Sequence, residues 1–557
     1  MPASPDQPLF DAWATLTAPD APYEVATVAV RGKNLRAFRH APPDARAIWL
    51  ATAAFGDRDY LVYGNERLTY AQAHRIVASV AAWLAGQGLR RGDRVAIAMR
   101  NYPEWLLAYW ACVASGLVAV GLNAWWAPDE LAFALEDCQP KAIFADAERL
   151  ERLPLLAEPI PRVGVRMPAR DGVTAWADII GQPGSLPDVA IDPDDDACIF
   201  YTSGTTGRSK GAQLTHRGCA NTLYSMYFQA EAQALALGRE TSSAPPVGLI
   251  TTPLFHVTAT NCLAYPVTAA GGKLVLMYKW DAGEALRLIE RERVSIITGV
   301  PTMAREMLNH PEALIRDIDS LSVLSGGGAP VPPDLVTKID AFPRPVQPST
   351  GFGMTETCGV VTAVTGPYFV ARPDSCGRLL PTFEAMVIDA DGRPLPQGET
   401  GELCLRGAGI IKGYLNRPDA TAATIVDGWL RTGDLGRIDP DGFVFIHDRK
   451  KDMVLRGGEN VYCAEVEAAL FRHPDVVEAC VFDVPDERLG EEVGAALVLR
   501  DGAALTGEDI RRHLSGLIAR FKVPRYIWLR TEPLPRNASG KFLRPVLRAS
   551  LSTDDAV

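Results

Sequence analysis

The sequence predicts an α/β fold, with a large N-terminal region of several subdomains on parallel sheets covered by helices, and a small α+β C-terminal domain. Three observations carry this. The 557 residues exceed what one hydrophobic core supports and correspond to roughly three to four domain-sized units. Across the N-terminal half, helical patterns alternate with short, continuously apolar strands, the sign of a parallel sheet covered on both faces. Beyond about Gly366, acidic turns such as Asp389-Ala-Asp-Gly392 and Asp439-Pro-Asp-Gly442 separate short strands, which marks β-hairpins.

Taken in order, the first 30 or so residues are rich in Pro, Ala and Asp and read as an irregular arm. Thr69-x-x-Gln72 is a capping box, and the helix behind it carries an apolar stripe at Ile76, Val77, Val80, Ala81 and Leu84. Gly86 and Gly88 close it, and a strand over 95–99 follows. Residues 105–128 hold no charge and imitate a membrane span. Gly116, Gly121 and Asn123 argue instead for a buried helix, a short strand over 117–120 and a loop. Pro128 starts a helix running toward Asp137, and a strand over 197–201 leads into a Gly/Thr/Ser loop. His74 reads as a packing residue. Strands over 401–406 and 442–448 belong to the hairpin region, whose acidic turns lack EF-hand spacing. The charge run Arg449-Lys450-Lys451-Asp452 separates residues 1–448 from 453–557. The C-terminal unit is expected to hold a helix over 464–472, strands over 476–482 and 493–499, and a helix over 507–519.

Composition narrows the class. Hydrophobic residues make up 47% and charged residues 22%, ordinary for a globular protein, and the net charge of −11 argues against a nucleic-acid or anionic-membrane binder. Residues 508–548 depart from this balance with ten Lys or Arg against three acidic residues, a face suited to a polyanion. Ten cysteines show no CxxC pair, so neither a disulfide framework nor a zinc site is expected. The first residues lack the basic and apolar segments of a signal peptide. A reduced, cytoplasmic setting without stable membrane insertion is the expectation, and a homodimer is left open.

The strongest chemical signal is Tyr201-Thr-Ser-Gly-Thr-Thr-Gly-Arg-Ser-Lys-Gly211, directly after a buried strand. Gly204 and Gly207 allow close backbone approach, Thr202, Ser203, Thr205 and Thr206 offer hydroxyls, and Lys210 supplies a mobile charge. That set cradles a polyphosphate. It is not a Walker A loop, because Ser209 stands where the second glycine would be.

This loop resembles the phosphate loop of the adenylate-forming superfamily, which holds acyl-CoA synthetases, luciferases and nonribosomal-peptide adenylation domains. Further motifs of that superfamily follow in order: Pro253-Leu-Phe-His-Val257, Gly326-Gly-Gly-Ala-Pro330, Ser349-Thr-Gly-Phe-Gly-Met-Thr-Glu356, Gly428-Trp-Leu-Arg-Thr-Gly-Asp434, Asp448-Arg-Lys-Lys-Asp452, Gly457-Gly-Glu-Asn460 and Asn537-Ala-Ser-Gly-Lys541. The likeness spans residues 61–547. It implies an AMP-forming carboxylate–CoA ligase using ATP, Mg²⁺ and coenzyme A, a small β-barrel-like part in the large domain, and a mobile C-terminal domain.

Joining a carboxylate to the α-phosphate of ATP requires that two anions be neutralised and held in line. Glu356 suits a Mg²⁺ ligand and Thr355 the α-phosphate, while Phe352 offers a face for adenine and Gly328, Ala329 and Pro330 close its other side. Gly351, Gly353 and Met354 complete that strand-and-turn. The resemblance gives Asp434 the ribose hydroxyls, Arg449 the ribose or phosphate edge, Lys541 the charge developing at the phosphate, and Lys451 the hinge. Gly457 and Gly458 would line the pantetheine tunnel, with Lys522 and Arg525 as a landing surface for CoA phosphates. Cys463 stands where the family commonly has proline.

The acid pocket is assigned to His256, Val257, Gly327, Gly351, Gly353, Cys358 and Gly359. Phe255-His256 replaces the Phe-Asp pair of amino-acid adenylation domains, and glycine at 353, where acetate-type enzymes have tryptophan, leaves the pocket open. A medium or long fatty acid, or a bulky aryl or alicyclic acid, is the expected small-molecule partner. Rival readings are an acyl-AMP ligase that loads a carrier protein, a luciferase-like oxygenase and a non-catalytic nucleotide-binding protein. The last conflicts with the presence of Glu356, Asp434 and Lys541.

Overall fold

The computed structural model describes residues 5–154, 159–202, 208–240, 243–538 and 540–557. Two largely parallel sheets form its centre. In the seven-stranded sheet, Arg94–Ala98 pairs parallel with Val118–Gly121 and with Ala142–Asp146. Strand Asp196–Thr202 adds parallel to Val118–Gly121 and turns back antiparallel into Lys210–Thr215. In the nine-stranded sheet, Val247–Ile250, Ile296–Gly299, Val323–Gly326 and Gln347–Thr350 run parallel. Their carboxyl ends therefore share one edge, where open α/β sheets hold ligands.

Helices Tyr70–Gly86 and Pro103–Ala114 share an apolar core with strands of both sheets. The first begins as the sequence predicts: Gln72 N–H donates to Thr69 Oγ1 and Thr69 N–H to Gln72 Oε1. The uncharged stretch that imitates a span is a buried helix followed by a central strand. Trp105, Tyr109 and Trp110 are fully buried, and Trp110 Nε1 donates to Tyr60 Oη at 2.8 Å. Among the described residues no helix is long and apolar enough to cross a membrane. His74 stacks on Trp49 with centroids 4.3 Å apart, in keeping with a packing role.

The irregular N-terminal arm is corrected. Residues Gln7–Thr17 form a helix that buries Leu9, Ala12, Trp13 and Leu16. That i, i+3, i+4, i+7 stripe packs on the long helix His216–Ala236, with Trp13 edge-on to Phe228 at 4.9 Å. Asp6, just ahead, pairs with Arg372 at 2.5 Å. Strands Val25–Val30 and Lys33–Phe38 then form an antiparallel hairpin. Proline, alanine and aspartate suggested an irregular arm here, yet Pro8 sits in the first turn, where proline is tolerated.

The hairpin region is a five-stranded antiparallel sheet around Trp429–Ile438, which pairs with both Gly401–Gly407 and Val444–Arg449. After a turn over 450–453 the chain enters a second five-stranded sheet, whose Gly490–Leu499 strand pairs antiparallel with Val476–Asp486 and parallel with Tyr526–Arg530. Helices Cys463–Leu470 and Gly507–Ser515 cover it through a core containing Val466, Leu470, Ile510 and Leu514.

Candidate active site

A cavity of about 1730 Å³ opens at the carboxyl edge of the nine-stranded sheet. This is larger than the roughly 300–1,000 Å³ of common small-molecule pockets, so it has room for more than one substrate. Strand and turn ends position most of its chemical groups. Val323–Gly326 delivers Gly327 and Gly328, and Gln347–Thr350 delivers Gly351 and Phe352. Phe352 is held through its backbone, whose N–H donates to Thr362 Oγ1 at 3.0 Å and whose carbonyl accepts from Val361 and Thr362.

Thr355 and Glu356 sit in a single buried 3₁₀ turn. Tyr414 Oη donates to Glu356 Oε1 at 2.7 Å, and the Lys210 ammonium lies over the Tyr414 ring at 5.0 Å. Tyr414 thus joins Lys210 to the acidic turn, although the motifs do not single it out. Its segment docks against the Lys210–Thr215 strand, where Gln213 N–H donates to Gly413 O and Leu415 N–H to Gly211 O. The available signal was an aromatic residue with a polar tip directly after Gly413 in a glycine-rich stretch. Thr202 and Lys210 face each other across the base of the loop hairpin. Ser203, Gly204, Thr205, Thr206 and Gly207 lie outside the described residues.

Asp434 and Arg449 are opposite each other on neighbouring strands, and Arg449 Nε lies 3.4 Å from the Asp434 carboxylate. Burial raises the Asp434 pKa to about 6 against the opposing pull of Arg449 and Lys541. Lys541 arrives from the C-terminal sheet on a short turn. Asn537 N–H donates to Lys541 O, Lys541 N–H donates back to Asn537 Oδ1, and Gly540 takes a φ of +83°. The Lys541 side chain reaches Gly328, at whose α-carbon an added Cβ would stand 3.4 Å from Lys541 Cε. Burial, joined by repulsion from Arg449 and Lys451, lowers its pKa to about 8, while Asp434 and Glu356 act to raise it. His256 caps the short helix Val257–Ala259, and burial, with Lys541 nearby, drives its pKa down to about 3, so it is neutral at physiological pH.

The family model for AMP-binding enzymes matches residues 48–415, and that for the AMP-binding enzyme C-terminal domain matches residues 465–541. The chain belongs to the AMP-binding enzyme family. It is an AMP-forming acyl-CoA synthetase, a class for which ATP and CoA are substrates. Feruloyl-CoA synthase of an Amycolatopsis species is 35% identical over 492 residues, covering 87% of this chain and 94% of that protein. The 4-coumarate–CoA ligase of Humulus lupulus is 31% identical, covering 90% and 93%. Among solved structures, an anthranilate CoA ligase in complex with anthranoyl-AMP superposes with a TM-score of 0.81 at 26% identity, over 91% of this chain and 98% of that one.

Within this AMP-binding enzyme several expected site residues take other positions. His256, Val257, Gly327, Gly351, Gly353 and Gly359 do line the cavity. Cys358 does not. It is fully buried at a left-handed φ of +56°, with Sγ turned toward Gly218 of the long helix. Nor is Gly353 glycine in order to keep the pocket open. Residues 353–354 pair with 359–360, and a Cβ at 353 would lie 2.0 Å from the Gly359 carbonyl oxygen. At Gly351 the Thr362 carbonyl stands equally in the way, at 2.5 Å. Of the four glycines assigned to the acid pocket, Gly327 alone faces open space. Met354 lines the cavity, Ala329 is half-buried and Pro330 is exposed.

The residues expected to meet CoA lie apart from the cavity lining. Gly457 and Gly458 form the exposed turn between Val454–Arg456 and Glu459–Val461, both at positive φ. Lys522 Nζ bonds both oxygens of Glu465 at 2.7 Å, and Arg525 pairs with Asp486 at 3.1 Å. The basic stretch is therefore largely neutralised within its own domain. Cys463, where proline was the family expectation, uses what proline lacks: its N–H donates to the Asp448 carboxylate and its thiol to Asp452 O.

Proposed function

We propose that this enzyme activates an aryl carboxylic acid with ATP and transfers the acyl group to CoA. One observation carries the proposal: Lys541, from the C-terminal region, lines the large cavity near the Asp434 and Glu356 carboxylates. The relatives support the aryl acid, since feruloyl- and 4-coumarate-type ligases resemble this chain over most of its length.

In the first step a carboxylate oxygen bonds to the α-phosphorus of ATP while the bond to pyrophosphate breaks. Lys541 would balance the charge that gathers on the α-phosphate, Thr355 would bond that phosphate, and Asp434 would accept the two ribose hydroxyls, with Arg449 at its edge. Phe352 and Gly328 would flank the adenine, and the loop from Thr202 to Lys210 would hold the leaving phosphates. Glu356 suits Mg²⁺: Tyr414 bonds one of its oxygens and the other remains for a hard cation. A lone carboxylate fits an ion that keeps most of its ligands from phosphate and water, and the ion would neutralise the triphosphate. His256, neutral and half-buried in the cavity wall, would bound the acid without adding charge.

In the second step the CoA sulfur bonds to the acyl carbon and AMP leaves, with the thiol proton passing to solvent. Lys541 lines the cavity in which the thiol would have to meet the acyl carbon, which supports alternation between two poses. We assign residues 1–448 to the nucleotide- and acid-binding domain, 449–452 to the hinge with Lys451 as pivot, and 453–557 to a mobile domain. Gly457 and Gly458, side-chain-free and exposed, would reach the tunnel after rotation. The test is a screen of aryl, alicyclic and fatty acids, read by pyrophosphate and AMP release with and without CoA. Thioester formed with aryl acids supports the assignment, and turnover of fatty acids alone refutes it.

A further inference from the structure

The cavity continues past the nucleotide side, between the helix His216–Ala236 and one face of the nine-stranded sheet. Side chains alternate across a sheet, so the residues facing this channel can be read from the strands. On Gln347–Thr350, Gln347 and Ser349 face it, Thr350 lines it where the strand ends, and Pro348 is buried behind. On neighbouring strands Thr298, Ser325 and Thr365 also face it, beside the apolar Ile296, Val323 and Ala363. The wall is mixed: the Ser349 and Thr365 hydroxyls bond each other at 2.8 Å, whereas an alkyl chain would leave an amide oxygen such as Gln229 Oε1 without a partner.

Two glutamines stand out at its far end. Gln233, from the helix, is 9% exposed, and its Nε2 donates to Gln347 Oε1 at 3.4 Å, the long end of hydrogen-bond range. Gly366 backs the pair at φ +58°, and an added Cβ there would stand 2.8 Å from Gln347 Oε1 and 3.0 Å from Gln233 Nε2. One helical turn before Gln233, Gln229 keeps a buried Oε1 without a hydrogen-bond partner. Gln347 lies three residues before the strand end that leads to Gly351, roughly 10 Å along the strand. A ring with a short carboxylate arm spans such a length.

We propose that Gln233 and Gln347 are the distal specificity residues of the acid channel. They select an aryl acid whose far end carries an uncharged hydrogen-bonding group. An amide both donates and accepts, so the pair can satisfy a hydroxyl in either sense, whereas a methyl group of the same size leaves it unmet. The pair itself carries no charge for a distal carboxylate, although Arg239, Glu231 and Glu240 line the same cavity near the end of the helix. This rests on the aryl-acid assignment above.

The test compares para-hydroxycinnamate with para-methylcinnamate, matched in shape, by kcat/KM for pyrophosphate release. The wild-type enzyme is expected to favour the hydroxyl by about 10- to 100-fold. In Gln233→Leu and Gln347→Leu that ratio should fall toward one, and Gln347→Asn, which keeps the amide but withdraws it, should lie between. A wild-type ratio near one, or a ratio that survives both leucine variants, overturns the proposal. A preference for para-carboxycinnamate also overturns it and points to Arg239. If only straight-chain acids turn over, the aryl assignment fails, and ω-hydroxy against ω-methyl acids of equal length test the two glutamines by the same ratio.

Discussion

Replacing Lys541 by alanine separates the two half-reactions. The half-buried lysine packs against Gly328, near Asp434, Glu356 and Arg449, and its pKa of about 8 leaves roughly nine-tenths of it protonated at pH 7. It therefore acts as a cation held beside the cavity. Loss of one such preorganised contact to developing charge costs about 3–4 kcal/mol. At about 1.4 kcal/mol per decade, acyl-adenylate formation should slow by roughly two to three decades. The alternation proposed above removes Lys541 from the site before the thiol attacks, so a preformed acyl-adenylate should still yield thioester at near wild-type rate. The assay is paired single-turnover kinetics: pyrophosphate release from acid and ATP, and AMP release from synthetic acyl-adenylate and CoA. Equal losses in both would refute the alternation, and no loss in the first would refute the role of Lys541.

The same groups set a pH window: Asp434 is ionised above about 6 and Lys541 protonated below about 8, so adenylation should rise through the first value and fall through the second. In Lys541→Arg the alkaline limb should vanish, because a guanidinium keeps its charge; rate profiles across pH would check this. Lys451→Pro should spare adenylation and stall thioester formation, since proline fixes φ at a turn that must change its torsions; normal CoA transfer would show that the pivot lies elsewhere. Gly353→Ala should destabilise the protein by about 3 kcal/mol, because its Cβ would meet the Gly359 carbonyl and no rotamer relieves a backbone clash. A denaturation midpoint that does not move would refute that close approach.

The motifs identified the family and the chemical groups because each depends on local order: glycines beside a buried strand, an acidic turn, a lysine after Ser-Gly. The alternation of helix and apolar strand likewise announced a parallel sheet, since a strand covered on both faces must be apolar throughout. The irregular arm was misread because composition outweighed period; the stripe Leu9, Ala12, Trp13, Leu16 was present, but it has meaning only against Phe228, more than 200 residues away. Gly353 and Cys358 could not be placed from sequence. A glycine that avoids a backbone carbonyl and one that opens a pocket are the same letter, and only the strand pairing tells them apart. The charges of Lys522 and Arg525 looked available in the sequence and are matched by Glu465 and Asp486 in the fold. Tyr414 on Glu356, and Gln233 beside Gln347, are likewise products of tertiary structure. Local order fixes which groups a chain carries; the distances between them, and so which acid fits, follow from packing of segments far apart in sequence.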